Sequence, residues 1–270
     1  MSIAHVQGNI NTTSAVGLNS IAVTGSAVGS ANCIAGIVTC WDVSGDALTS
    51  ITDDKGNSYT VLDKIDDTNG QYNYSFVLGN ITNGPATVTA NFNTSVQFRG
   101  IIWDEYSGIA ALANPTDGHG VNLQSFPAPS TTDGIVSPSI TTTANGDLIY
   151  GGTVNAFNAT QAAAGTGYTL REQAGTAPMS SEDKVQTTAG SVTATFTESS
   201  SPGSQSTFII ALKALGAGGG PVLRARSSLH AVDGGFVRME QARGALHPID
   251  DGFVAHKGIW RRRNLIRRAA

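Results

Sequence analysis

Gln71-Tyr72-Asn73-Tyr74-Ser75-Phe76 decides the fold: polar and aromatic residues alternate strictly, so Tyr72, Tyr74 and Phe76 share one face and Gln71, Asn73 and Ser75 the other. A period of two is the mark of a strand, with the large apolar side chains turned to a core. Outward from it, short apolar runs recur about every ten residues between turn signals such as Asp53-Asp54-Lys55-Gly56-Asn57 and Asn83-Gly84-Pro85. The expected strands are 20–25, 33–43, 47–52, 57–65, 71–79, 85–93, 96–106, 135–143, 146–156, 167–173, 181–187, 191–197 and 205–214. No convincing 3.6-residue apolar period occurs before residue 220, so the expected body is an all-β, antiparallel sandwich over 19–215, preceded by an irregular lead-in at 1–18.

Composition agrees. Of 270 residues only 13% are charged, against a usual share of about a quarter. A helix-rich enzyme of this length carries more Glu, Lys and Arg on its solvent faces, whereas Ser, Thr, Asn and the 32 Gly suit strands and turns. A 40% hydrophobic content excludes wholesale disorder, and no unbroken apolar stretch is long enough to span a bilayer. The first residues, Met-Ser-Ile-Ala-His-Val-Gln-Gly-Asn, show no basic and apolar secretory pattern, so synthesis and retention in the cytosol is the expectation. Cys33 and Cys40, seven residues apart on one strand, point to opposite faces about 23 Å apart. Buried thiols rather than a disulfide follow.

Strings recur within the body. Tyr59-Thr60-Val61-Leu62 returns as Tyr168-Thr169-Leu170, Val88-Thr89-Ala90-Asn91-Phe92 as Val192-Thr193-Ala194-Thr195-Phe196, and Phe98-Arg99-Gly100-Ile101-Ile102 as Phe208-Ile209-Ile210-Ala211, in the same order. Two similar halves, each giving strands to both sheets of a single sandwich, explain the echo.

Charge divides the chain again. Residues 221–270 hold ten of the sixteen Lys and Arg with four acids, net +6, while residues 1–220 carry −10. This is the pattern of an acidic body joined to a basic interaction arm. The Gly-rich 216–220 is the expected hinge. Beyond it Leu229-His230-Ala231-Val232-Asp233-Gly234-Gly235-Phe236-Val237 returns seventeen residues later as Leu246-His247-Pro248-Ile249-Asp250-Asp251-Gly252-Phe253-Val254. Each copy is too short to build a core and is expected to dock elsewhere. The partner-anchoring residues are therefore His230, Asp233, Phe236, His247, Asp250, Phe253 and Trp260, with the cations Arg261, Arg262, Arg263, Arg267 and Arg268. Such an arm binds nucleic acid, an anionic membrane surface or an acidic protein surface. The interleaved Phe236, Phe253, Ile259 and Trp260 favour a protein groove over a uniform polyanion.

Chemistry-bearing constellations are sparse. Outside the arm the histidines are His5 and His119, no Gly-x-Ser-x-Gly elbow occurs, 216–220 lacks the Gly-Lys-Ser/Thr of a phosphate loop, and two Cys make no zinc site. Asp104-Glu105 beside Trp103 is the best glycosidase pair, but adjacent strand residues face opposite ways and cannot converge on one bond. Asp53, Asp54 and Asn57 read either as calcium ligands or as turn chemistry. Tyr72 and Tyr74 read either as a glycan-stacking platform or, better, as the buried face of their strand. Neither a cofactor, a resident metal nor a catalytic set is expected.

The body resembles a family of bacterial and phage β-sandwich modules. The resemblance spans about 19–215 and rests on Ile51-Thr52-Asp53-Asp54-Lys55-Gly56-Asn57-Ser58-Tyr59-Thr60, Glu105-Tyr106-Ser107-Gly108, Asn145-Gly146-Asp147-Leu148-Ile149, Gly165-Thr166-Gly167-Tyr168-Thr169 and Ser181-Glu182-Asp183-Lys184. It implies a jelly-roll-like sandwich, found on virions and bacterial surface proteins, with no established catalytic set and with homo-oligomeric assembly. The short Gly-containing repeats of the arm are similar in style to phage virion peptides. A non-enzymatic virion protein (capsid decoration, head fibre or tail-associated) is the leading expectation, assembled in the host cytoplasm and held by its arm to other virion proteins. A carbohydrate-binding or adhesive module of a bacterial surface protein is the alternative.

Overall fold

In a computed structural model of the chain, the described residues are 2–15, 17–41, 45, 47–67, 70–125, 134–155, 162–174, 178–198, 204–216, 231–232 and 236–237. They contain no helix. The chain divides into two units, Met1–Pro221 and Val222–Ala270.

The first unit is a duplicated antiparallel β structure. Its first half contains β1 (Ala4–Thr13), β2 (Ser20–Thr24), β3 (Cys33–Trp41), β4 (Leu48–Asp53), β5 (Thr60–Asp66), β6 (Gln71–Leu78), β7 (Thr87–Phe92) and β8 (Gln97–Ser107). The second contains β9 (Thr116–Ser125), β10 (Ile135–Val136), β11 (Ile140–Thr141), β12 (Asp147–Asn155), β13 (Ala163–Ala164), β14 (Thr169–Ala174), β15 (Met179–Gln186), β16 (Ser191–Val192), β17 (Thr195–Thr197) and β18 (Ser204–Leu212). One five-stranded sheet runs β1-β8-β3-β6-β5, the other β9-β18-β12-β15-β14, the same order strand for strand. A three-stranded sheet β2-β7-β4 has its counterpart in β10-β17-β13, with β11-β16 as a further small ladder.

The echoed strings occupy corresponding places: 59–62 and 168–170 lead the edge strands β5 and β14, 88–92 and 192–196 lie on β7 and on β16 and β17, and 98–102 and 208–211 lie on β8 and β18. The all-β, antiparallel sandwich arrangement is as expected, but the two halves do not share their sheets. Each half builds its own pair of sheets, and the two five-stranded sheets then pack face to face. One core lies between β2-β7-β4 and the first large sheet, with Val23, Ile51, Val88 and Phe92 against Val38, Phe76, Ile101 and Trp103. A second joins the two large sheets, with Ile37, Val77, Ile102 and Tyr106 against Tyr150, Met179, Phe208 and Ile210. A third sets Ile149, Ile209 and Ala211 beneath Val192 and Ala194.

This layering explains the burial patterns. β7 has one solvent face and alternates, with Val88, Ala90 and Phe92 buried. β3, β12 and β18 are central in sheets covered on both sides, and their residues are buried almost without interruption. The two large sheets meet about a pseudo-two-fold: β3 faces β12, β1 faces β14 and β5 faces β9, so exchanging the halves maps one edge contact on the other.

Two long strands escape the sequence pattern, as does the two-residue β13. The lead-in 1–18 contains β1, which pairs with β8 from Ala4↔Ser107 to Thr13↔Arg99. β9 pairs with β18 in the same way. In the second unit, β19 (Ala231–Val232) pairs antiparallel with β20 (Phe236–Val237), Val232 opposite Phe236.

Candidate functional site

The densest polar constellation lies between the two large sheets, at both edges. At one edge His5 Nε2 on β1 is 2.9 Å from Asp104 Oδ1 on β8, and Ser181 Oγ on β15 donates to Asp104 Oδ2 at 2.8 Å. At the other, His119 Nδ1 on β9 is 2.9 Å from Asp63 Oδ1 on β5, and Ser75 Oγ on β6 donates to Asp63 Oδ2 at 2.9 Å. The two histidines thus stand one per half, each on the first strand of its half, and each His-Asp-Ser chain crosses between the halves.

The same three residue types serve hydrolases, in another order. A serine nucleophile needs its proton taken by an imidazole that a carboxylate orients. Here the carboxylate stands in the middle: both the serine and the histidine bond to it. Ser75 and Ser181 are moreover fully buried, with no face for a substrate. The arrangement joins sheets; it does not activate a hydroxyl.

The environment of Asp104 is that of a buried structural acid. Burial pushes its carboxyl up from the ordinary value, opposed by the hydrogen bonds from His5 and Ser181. The Tyr106 and Tyr150 rings meet edge to face at 6.4 Å, and burial followed by the nearby Asp104 pushes both phenols well up. Arg171 Nε and Nη2 grip Asp183 Oδ2 and Oδ1 at 2.7 and 2.8 Å, a bidentate pair. Burial, then Asp104, raises Glu172.

Asp104 and Glu105 point to opposite faces, as expected of strand neighbours. Glu105 is spent on its surroundings: Oε1 accepts from Gly29 N at 2.7 Å and Asn32 Nδ2 at 2.5 Å, and Oε2 from Gln7 Nε2 at 2.6 Å. It forms the floor of a shallow cleft lined by Val6, Gln7, Ser26, Ala27, Gly29 and Asn32.

At the 53–57 turn the calcium reading gives way to turn chemistry. Asp53 Oδ1 accepts from Lys55 N at 2.9 Å and Asn57 N at 3.1 Å, and Oδ2 from Asn57 Nδ2 at 2.8 Å and Tyr59 Oη at 3.0 Å. Asn57 turns its amide nitrogen inward, also donating to Asn83 O. The amides of Thr87 and Ala86 hold the exposed Asp54 carboxyl down at about 2. Among the described residues no group of three or more His, Cys, Asp or Glu is placed to hold a metal ion.

The glycan platform is corrected. Tyr74 is 2% exposed and belongs to the core beneath β2-β7-β4, with Tyr72 packed against it. Its strand has no free polar side either, because the second half covers it. Asn73 Nδ2 donates across the interface to Ser206 Oγ at 2.9 Å, Thr39 Oγ1 donates to Asn73 Oδ1 at 2.6 Å, and Gln71 Nε2 to Thr39 Oγ1 at 3.0 Å. Cys33 and Cys40 are buried and form no disulfide, in the cores on opposite sides of β3.

Of the expected anchoring residues, Phe236 falls on β20. His230, Asp233, His247, Asp250, Phe253, Trp260, Arg261, Arg262, Arg263, Arg267 and Arg268 lie outside the described residues. The roles of His5, His119 and Asp63 are not legible in the sequence, since the contacts span 56 to 99 positions. The single available signal is that these two histidines lie one in each echoed half.

Comparison of the chain with protein-family models, with curated proteins and with solved structures gives no match. Among the described residues no helix is long and apolar enough to cross a membrane.

Proposed function

We propose that the chain is a non-enzymatic structural protein of a phage virion, its β body displayed outward and its basic C-terminal arm engaging other virion proteins. The observation that carries this reading is a division of labour. The body spends its polar side chains on closing its own interfaces, while residues 221–270 hold ten of the sixteen basic residues. Such a body is a rigid spacer or display unit, and such an arm is a binding element. The succession β1-β8-β3-β6 over β2-β7-β4 supports the jelly-roll-like description of each half. Capsid decoration, a head fibre and a tail-associated role fit equally, as do assembly in the host cytoplasm and a homo-oligomeric state. The burial of Tyr74 leaves the carbohydrate-binding alternative without its aromatic platform.

The test is incorporation. Full-length chain and a form ending at Gly216 are each supplied during particle assembly, and sedimented particles are probed for the protein. Incorporation of the full chain and loss of the truncated one, with an unchanged melting profile of the body, is the expected result. Equal incorporation overturns the arm as anchor.

A further inference from the structure

The two halves have the same roof over different floors. Val88, Ala90 and Phe92 return as Val192, Ala194 and Phe196, buried in both copies. In the first half the floor beneath them carries Tyr74, Val38 and Ile101 side by side on β6, β3 and β8, all in the apolar core. Gly36 and Gly151 each precede the contact of Ile37 with Gly152 between the halves, and so occupy the same place on β3 and β12. Counted from them, the second half sets Ser180, Thr153 and Thr207 in the row held by Tyr74, Val38 and Ile101. The next row, at the end of β12, pairs Asn155 with Gln205. All five are buried. Hydroxyls and amides thus stand where the other copy packs aromatic and branched side chains, at a desolvation cost that packing does not return.

The hydrogen bonds orient both amides. Asn155 Nδ2 donates to Glu198 Oε1 at 2.7 Å, and Gln205 Nε2 to Thr153 Oγ1 at 3.0 Å. Each amide therefore keeps its carbonyl oxygen free. Asn155 Oδ1, Gln205 Oε1, Thr207 Oγ1 and Ser180 Oγ are buried with no hydrogen-bond partner among the described residues. At the sheet edges the same rows are satisfied, Gln124, Asn122 and Gln173 donating to the carbonyls of Gly134, Val136 and Ala162. The unmet oxygens are confined to the middle of the floor. Towards Gly151 the roof closes down, since a Cβ there would stand 2.9 Å from Ala194 Cβ. An occupant is left the end where Asn155 and Gln205 stand.

We propose that this floor binds a dehydrated monovalent cation, sodium or potassium, between Asn155 Oδ1, Gln205 Oε1 and Thr207 Oγ1. Inward-facing carbonyl and hydroxyl oxygens can replace the hydration shell of such an ion. The surrounding side chains are at most 4% exposed, so the enclosure admits an occupant of atomic size. Glu198 brings one negative charge beside Asn155 and matches one positive charge. Glu182, further along the floor, accepts from Gly165 N at 2.9 Å and has Lys184 two residues on, on the same face of β15. In the first half Tyr74, Val38 and Ile101 fill the equivalent position, so one site per chain is expected. The site is independent of the arm and of what the arm binds.

Melting of the full chain in about 0.1 M sodium, potassium or choline chloride, at equal ionic strength, tests it. Sodium or potassium is expected to raise the melting temperature by about 3 °C over choline, which is too large to enter. Thr207→Val keeps the shape and deletes one oxygen, and is expected to halve that rise at least. Gln205→Met keeps the length and is expected to abolish it. Equilibrium dialysis of the unsubstituted chain against labelled sodium or rubidium, in excess choline, gives a readout independent of any variant's folding. One ion retained per chain is the expected result. Equal melting temperatures in the three salts with no ion retained mean ordered water alone in the floor, and overturn the proposal. An ion-dependent rise undiminished in both variants overturns it too, because the ion then binds elsewhere.

Discussion

Ile37 on β3 packs directly on Gly152 on β12, at the pseudo-two-fold where the halves meet. A Cβ at Gly152 would stand 2.8 Å from Ile37 Cγ2 and 3.2 Å from Cδ1, so only the absence of a side chain lets the sheets approach this closely. Gly100 works similarly, a Cβ there colliding with Met179 Sδ of the other half.

Gly152→Val is therefore expected to lose about 1–3 kcal/mol, the ordinary cost of overpacking. Ile37→Ala in the same chain is expected to cost less than it does alone, because it removes Cγ2 and Cδ1, the two atoms nearest the new side chain. Urea unfolding of both single variants and the pair gives a double-mutant cycle. Strict additivity of the two substitutions counts against a direct contact.

Asp104 is the acid on which His5 and Ser181 converge, and it is fully buried. Asp104→Ala is expected to cost about 3 kcal/mol, because the buried Ser181 and the half-buried His5 lose their acceptor at once. Asp104→Asn keeps an acceptor for Ser181 and should cost less. Burial raises the folded-state value of this acid, so its contribution is greatest at low pH and is lost as pH rises through the folded value. The stability of Asp104→Asn relative to the unsubstituted protein is then expected to improve from about pH 4 to about pH 7. Denaturation midpoints at several pH values decide this, and a change in the opposite direction contradicts the assignment.

All four donors at Asp53 come from the chain itself, so calcium has nothing to add at this turn. Millimolar calcium is expected to leave the melting temperature unchanged. Asp53→Ala is expected to cost about 2 kcal/mol by freeing Asn57 and Tyr59, half-buried groups that lose a charged acceptor. A calcium-dependent rise in melting temperature that disappears in Asp53→Ala would restore the ion-binding reading.

Legibility of the sequence tracked the source of burial. β6, β7 and β8 announce themselves because apolar side chains make their contacts, and the echoed halves because three of their strands keep similar residues. β1 and β9 do not: they carry the half-buried His5 and the exposed His119, which bond across the sheet edges to Asp104 and Asp63 instead of presenting an apolar face. The four layers were hidden for the same reason. Gln71, Asn73 and Ser75 have the composition of a solvent face, yet bond to Thr39, Ser206 and Asp63 beneath the second half. A polar interface and a wetted surface look alike in a one-dimensional pattern, and so the His-Asp-Ser chains had no local signal. The arm reads the other way, through a charge asymmetry and a seventeen-residue repeat that need no fold to be seen.

The cysteines give the most direct check on the layering. Cys33 and Cys40 share β3 but lie in different cores, one between the halves and one beneath β2-β7-β4. Burial alone pushes the Cys33 thiol far up, so its thiolate, the reactive species, is suppressed at neutral pH. In the folded protein neither thiol is expected to react with an aromatic disulfide reagent within minutes, and both should react at once in denaturant. The variants then separate the layers. Gly152→Val loosens the contact between the halves and is expected to speed Cys33 labelling several-fold more than Cys40 labelling, since local opening exposes the nearer core first. A substitution under β7 such as Val88→Ala, at a cost of about 1–3 kcal/mol, should favour Cys40 instead. Labelling each site by mass spectrometry distinguishes the two. Equal acceleration of both thiols by both substitutions means that the unit opens as a whole, and that the two halves are not separable layers in solution.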